Sequence, residues 1–345
     1  MNRVHFLNVG EGDCIFIEHN SGRKSLIDIS CGNIKAPDSL VKAFESLSGD
    51  QLQINADKLA GNYRQKESPQ NPIDFLSSFI NNKTQESIWR FIISHPDMDH
   101  IDGIKKLFES YQIDNVWDTN NNKPDPDFKK QTKFLNDDWD FYKSLESKAN
   151  DDNYRYLQLY SEINNPGEKW TEDDITILCP TKKIVKEANE KEDYNDLSYV
   201  LLYTPIKTGT KERWKIVFSG DSHNASWEYI IKNYEDLVKN VDVLIAPHHG
   251  RDSDRSYDFL DVLKPRVTLF GNAKSKYLAY DKYKGEKLTN NQANNIILDC
   301  SDRIYFYVKN KKFADDSRAT RGWSEAKKHN NLDAYFLYNI SWKSS

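Results

Sequence analysis

The sequence predicts a layered α/β or mixed α+β fold, and three observations carry that reading. Short apolar runs rich in β-branched and aromatic residues alternate with helical patterns along the whole chain. Several of those runs stop abruptly at Asp or His. No internal repeat and no long linker interrupts them, and 345 residues suffice to bury a substantial core.

Residues 3–9 and 14–18 read as two strands joined by Gly10-Glu11-Gly12-Asp13, and Ser25–Ile29 as a third. From 33 to 71 the chain is polar and without a clean period, apart from a modest helical stretch at 42–47, which suggests an inserted flap. Pro72 opens a helix with Asn71 as its cap, leading to the strand Trp89–Ile93. Ile101, Ile104, Leu107 and Phe108 recur at helical spacing, and Val116-Trp117 ends a short strand. A second polar insertion covers about 118–165, in which 134–157 could form one or two amphipathic helices. Strand signals return at 175–178, 198–203 and 214–218, followed by a helix over 227–238 and a buried strand over 241–246. A helix at 257–263 and strands at 267–270 and 304–308 complete a domain of 1–310. Residues 311–345 are a polar extension with an aromatic finish that suggests an edge hairpin packed on the same domain.

The net charge of −5 excludes a global basic field of the kind that drives non-specific nucleic-acid binding. Four widely spaced cysteines (Cys14, Cys31, Cys179, Cys300) form no CxxC pair and read as reduced core thiols. With no apolar run near the ~20 residues that span a bilayer, and no signal-peptide pattern before the first strand, the expectation is a soluble cytoplasmic protein without membrane contact.

The chemistry concentrates at strand ends. His95-Pro96-Asp97-Met98-Asp99-His100 places four potential ligands within six residues, directly after a buried strand. Carboxylates and imidazoles so close together need a cation to offset their repulsion. Asp28, Asp221 and His248 likewise follow strands, and a layered fold gathers such residues onto one rim. The ensemble His95, Asp97, Asp99, His100, Asp221 and His248 suits two ions better than one. A polar loop capping the next helix is the plain alternative for 95–100, and an ordinary turn aspartate the alternative for Asp221.

These motifs resemble the metallo-β-lactamase superfamily and, within it, the hydrolase domain of ComEC-type DNA-uptake proteins. The segments that carry the resemblance are Phe6–Asp13, Leu26-Ile27-Asp28, Ile93–Gly103, Asn195–Leu201, Phe218–Asp221 and Ala246–Gly250, in family order, with weaker similarity at 263–265 and 271–274. The resemblance implies an αββα sandwich with a dinuclear site at one edge of its sheets, Asp221 as the bridge, and Asp28 supporting the ligands from behind. Of the two final histidines, His248 is expected to ligate. Asp99 is expected to be indispensable to the reaction, and His249 to contact substrate or protonate the leaving group. Asn195 and Ser198 stand where the superfamily more often has a ligating histidine, and Asp97 where it has another. Both changes trade nitrogen for oxygen, which shifts preference at that position from zinc towards manganese or magnesium, or weakens its occupancy, and suits phosphate oxygens better than a lactam carbonyl. The two ions are therefore expected to be zinc or manganese, or even magnesium.

The resulting expectation is a metal-dependent phosphodiesterase or nuclease using a hydroxide activated by two divalent ions, on DNA or another nucleic acid. A small-molecule hydrolase of a cyclic nucleotide, phosphate ester or lactone is the alternative, and a scaffold serving a partner protein in a larger system is a third. Asn195, Ser198 and Lys274 are the candidate substrate contacts. The segments 63–66 and 274–287 offer local cations and aromatics, while His223 is a weaker candidate and His5 and His19 read as structural.

Overall fold

A computed structural model of the chain describes residues 1–31, 62–81, 86–130, 133–149, 154–161, 173–273 and 277–341. The chain enters as a meander of β1 (Asn2–Phe6), β2 (Ile15–Glu18) and β3 (Lys24–Ile27), followed by the short β4 (Ile29–Ser30). Helix α1 (Pro72–Leu76) is capped by Asn71, whose side-chain oxygen accepts from the amides of Ile73 and Asp74. Then come β5 (Arg90–Ile92), α2 (Met98–Ile101), α3 (Ile104–Ser110), β6 (Asn115–Asp118), α4 (Asn136–Lys148) and β7 (Arg155–Gln158). The region read as one or two helices over 134–157 is therefore one helix and an edge strand, because Arg155–Gln158 pairs in parallel with β6. Asp102-Gly103 divides the helical pattern after His100 into α2 and α3.

The second half supplies β8 (Ile175–Cys179), α5 (Lys182–Lys191), β9 (Val200–Tyr203), β10 (Ile216–Phe218), α6 (Asn224–Val238), β11 (Val243–Ile245), α7 (Phe259–Leu263), β12 (Val267–Phe270) and β13 (Glu286–Thr289). After α8 (Asn290–Ala293) come β14 (Ile296–Cys300), β15 (Ile304–Val308), α9 (Lys311–Ala319), β16 (Lys328–His329) and β17 (Ala334–Ile340). Strand β14 returns to pair with β1, and β17 pairs with β15, so 311–340 continues the first sheet and contributes a helix besides.

Two mixed sheets result, one in the order β16-β17-β15-β14-β1-β2-β3-β5-β6-β7 and one in the order β13-β12-β11-β10-β9-β8. Side chains alternate across each strand, and both faces of each sheet are apolar. Val4, Phe6, Ile15, Ile17, Ile27 and Ile92 face Ile177, Leu201, Ile216, Phe218, Val243 and Ile245 in the layer between the sheets. Their neighbours Phe16, Leu26, Phe91 and Val116 pack outward on Ile104, Leu107 and Leu145 of the helices. On the other side Leu202, Val217 and Leu244 pack on Trp227, Ile230 and Phe259. The chain is an αββα sandwich, as the resemblance implies. Emptying a position such as Phe218 in the central layer costs about 3–5 kcal/mol. The four cysteines are free thiols. Among the described residues no helix is long and apolar enough to cross a membrane.

Candidate metal centre

The parallel strands β3 and β5 in one sheet, and β10 and β11 in the other, end at one edge of the sandwich. Each delivers a polar residue there: Asp28, His95, Asp221 and the His248-His249 pair. Three of these take left-handed backbone despite bearing side chains, with φ of 57° at Asp28, 53° at His248 and 56° at His249. Such conformations cost roughly 1–3 kcal/mol each and persist where the surroundings over-determine them.

Asp221 organises the centre. Its Oδ1 lies 3.3 Å from His100 Nε2 and 3.8 Å from His249 Nε2. Its Oδ2 lies 3.8 Å from His95 Nε2 and 3.6 Å from His248 Nε2. Asp99 Oδ2 stands 3.6 Å from His249 Nε2 on the first side, and Asp97 Oδ1 stands 3.7 Å from His95 Nε2 on the second. Two donor groups thus share one carboxylate. The tightest triads within them are His95, His100 and Asp221, and Asp99, His100 and His249.

The outward nitrogens of three rings are already engaged. Asp28 Oδ2 is 2.8 Å from His100 Nδ1, and Asp13 Oδ1 is 3.0 Å from His249 Nδ1. Ser94 gives its hydroxyl proton to Asp28 at 2.7 Å, so its oxygen is free to accept from His95 Nδ1 at 3.0 Å. Each ring therefore turns Nε2 inward. The Nε2 atoms of His95, His100 and His249 and the Oδ1 of Asp221 are all buried without a hydrogen-bond partner. Buried polar atoms left unpaired are rare and call for an explanation. Divalent cations held by nitrogen and carboxylate oxygen fit these atoms.

The electrostatics agree. Burial would lower His100 and His249, but facing carboxylates outweigh it and raise both well above the usual imidazole range, Asp221 and Asp28 for the first, Asp13 and Asp221 for the second. Burial would raise Asp221 and Asp99, yet the imidazoles hold both below the carboxylate range. His95 is lowered by burial and by its neighbour His100. Burial likewise depresses His248, to about 4.

The opening turn acquires a purpose here. Gly12 lies so close to Asp99 that a Cβ there would fall 1.7 Å from the Asp99 carbonyl oxygen. That contact carries Asp13 under His249. Asp13 was not singled out from the sequence, because it precedes a β-strand whereas the other positions follow one. Lys123, from the second insertion, forms an ion pair with Asp97 and lies 5.5 Å from the Tyr194 ring centroid. A lone Lys in an Asn-rich loop gives no sequence signal of such a position.

The remaining candidates fall as follows. His249, expected to stand aside as a proton donor, is the histidine that faces Asp99, and both its nitrogens face carboxylates. His248 also approaches Asp221, from the half-buried rim. Ser198 is fully buried, and its hydroxyl accepts the Asp221 amide at 3.1 Å, a position beneath the centre rather than on an open surface. Asn195 pairs with His223 at 3.3 Å, and the His223 ring centroid is 6.0 Å from that of His248. Lys274 lies outside the described residues, as do the helical stretch at 42–47 and most of the 33–71 insertion. His5 and His19 are buried away from the centre, on Glu18 and Ser25.

No family model and no curated protein matches the chain. Among solved structures it is similar to CmlA, a diiron β-hydroxylase from Streptomyces venezuelae, at 11% identity and a TM-score of 0.42, over 86% of this chain and 54% of that one. It is similar to Igni18, a metallo hydrolase from the archaeon Ignicoccus hospitalis, at 11% identity and a TM-score of 0.37, over 86% and 99%. A long-form RNase Z from yeast aligns at 11% identity and a TM-score of 0.38, over 86% and 41%. The chain spans about half the length of CmlA and less of the yeast enzyme. Overlap at this level bears on neither substrate nor mechanism.

Proposed function

We propose that the chain is a metal-dependent hydrolase of the metallo-β-lactamase type whose substrate is a phosphodiester, with nucleic acid as the first choice. The observation that carries this reading is the position of Asp221, one oxygen facing His100 and His249 and the other facing His95 and His248. In this reading His95, Asp97 and His248 would hold one divalent ion, Asp99, His100 and His249 the other, and Asp221 would serve both. Such ions supply Lewis-acid polarisation of the bond under attack and activation of water.

The chain's own groups do the positioning. Asp28, Asp13 and Ser94 fix Nδ1 as the protonated nitrogen of three rings, so a cation that displaced the proton from Nε2 would find its lone pair aimed inward. Asp97 brings oxygen where imidazole would be softer, which shifts preference there from zinc towards manganese or magnesium and suits an oxygen-rich substrate. Lys123 places a positive charge at the rim on Asp97, suited to an anionic ester.

The test is incubation with labelled single- and double-stranded DNA, RNA and cyclic dinucleotides, with Mn²⁺, Mg²⁺ or Zn²⁺ in turn. Cleavage by the wild type and its loss in Asp99→Ala is the expected result. Equal cleavage by that variant overturns the site assignment. The net charge of −5 favours a second reading, hydrolysis of a small phosphate ester or cyclic nucleotide, since a small ligand needs no basic track. Cleavage confined to the cyclic dinucleotide arm selects it.

A further inference from the structure

Arg255 is a buried cation without an oppositely charged partner among the described residues. It is 5% exposed, and its two hydrogen bonds both go to the hydroxyl of Ser253, from Nε at 3.1 Å and Nη2 at 2.7 Å. Its Nη1 is buried with no partner, and no described carboxylate forms an ion pair with it. A guanidinium removed from water costs several kcal/mol unless an anion compensates it.

The backbone puts this charge beside the metal centre. The segment leaves His248 through the Arg251 amide, which donates to the His248 carbonyl. It is pinned again one residue past Arg255, where the Ser256 amide donates to Asn224 Oδ1 at 2.8 Å. Asn224 opens α6 three residues after Asp221, so Arg255 is held between the loop of His248 and the loop of Asp221. The negative charges of Asp221 and Asp196 act on it, though neither forms a direct pair. Cations bound at the centre would consume the Asp221 charge and leave the guanidinium still less compensated.

We propose that Arg255 is a substrate-binding residue that receives an anionic oxygen of the substrate, a phosphate oxygen, from the His248 side of the centre. The assignment rests on the proposed hydrolase reading and deepens it, because a guanidinium fork matches the paired anionic oxygens of phosphate far better than the single neutral carbonyl of a lactone. It accounts for the unpaired Nη1 and for the absence of a carboxylate partner among the described residues. No bond is made or broken at Arg255; it donates hydrogen bonds throughout.

The experiment measures binding of inorganic phosphate by titration calorimetry to manganese-loaded wild type, Arg255→Lys and Arg255→Met, with metal content and thermal midpoint recorded for each. Phosphate affinity is expected to fall at least tenfold in Arg255→Met and less in Arg255→Lys, at unchanged metal content. A structural arginine would instead lower the midpoint of Arg255→Met, whereas loss of an uncompensated buried charge leaves it equal or higher. Undiminished phosphate binding in Arg255→Met, or no binding by the wild type, overturns the proposal. If Arg255→Met does not fold, wild-type affinity in Arg255→Lys overturns it. Because the readout is binding, Arg255-dependent phosphate affinity in a protein that cleaves no phosphodiester sinks the phosphodiesterase reading and leaves the phosphate-binding role of Arg255 standing.

Discussion

Asp28 Oδ2 and His100 Nδ1 stand 2.8 Å apart although 72 positions separate them in the chain. The same carboxylate accepts the Ser94 amide and hydroxyl, each at 2.7 Å. One side chain thus ties the end of β3 to the end of β5 and fixes which nitrogen of His100 faces inward. Asn tolerates the left-handed backbone found at this position, so Asp28→Asn removes the charge while keeping the turn. Metal affinity should drop about 10–100-fold, read by competition with a chromophoric chelator. An affinity equal to wild type would show that Asp28 only ends a strand.

The contact of Gly12 with Asp99 offers a test by steric insertion. Gly12→Ala adds a Cβ 1.7 Å from a carbonyl oxygen, while Gly22→Ala meets nothing within 4 Å at a similar φ of +88°. Both changes carry the left-handed penalty of about 1–2 kcal/mol. Only Gly12→Ala should also lose metal, because the clash displaces the backbone of Asp99 and the seat of Asp13. Equal metal content in the two variants would rule out that coupling.

Lys123 competes for the same carboxylate that a cation would use. Lys123→Met should therefore strengthen the weaker of two metal equivalents and leave the stronger unchanged, as seen in stepwise calorimetric titration. Unaltered or weakened binding of the weaker equivalent would count against a cation site at Asp97.

Asp118, at the end of β6, supplies a pH dependence away from the centre. Burial raises it to about 6, against the opposing hydrogen bonds from Tyr156 and the Thr119 amide. An unfolded Asp titrates near ~3.9, so between those values the native state holds a proton that the unfolded chain has released. Stability therefore falls as pH rises from about 4 to 6. Asp118→Asn should remove that decline, a relative gain on the order of 2–3 kcal/mol above pH 6. Parallel stability–pH curves for the two proteins would contradict it.

Much of the sandwich was legible because its strands are short, apolar and punctuated by Gly, Pro or Asp. Four of the groups gathered around Asp221, namely His95, Asp97, Asp99 and His100, sit in one hexapeptide that reads as a ligand turn. What escaped was of two kinds. Strands β13 and β14 were missed because Glu286–Thr289 is half polar and Ile296–Cys300 follows an Asn-rich turn, so neither stands out from its surroundings. Asp13, Lys123 and Arg255 were missed because their significance lies in what tertiary packing sets beside them. The order of the two final histidines was likewise beyond reach: adjacent residues in left-handed backbone point their rings in directions that no helical or strand period describes.

His95, Asp97, Asp99 and His100 hang from one sheet, and Asp221, His248 and His249 from the other. Between those sheets lies close-packed hydrocarbon, whose contacts are individually weak and non-directional. Coordination bonds are directional, so an ion seated at this edge acts as a rivet that sets the shear between the layers. Chelation should then loosen amide hydrogen exchange along the ends of β3, β5, β10 and β11 together, as one mechanical unit, while the far ends of the same strands keep their protection.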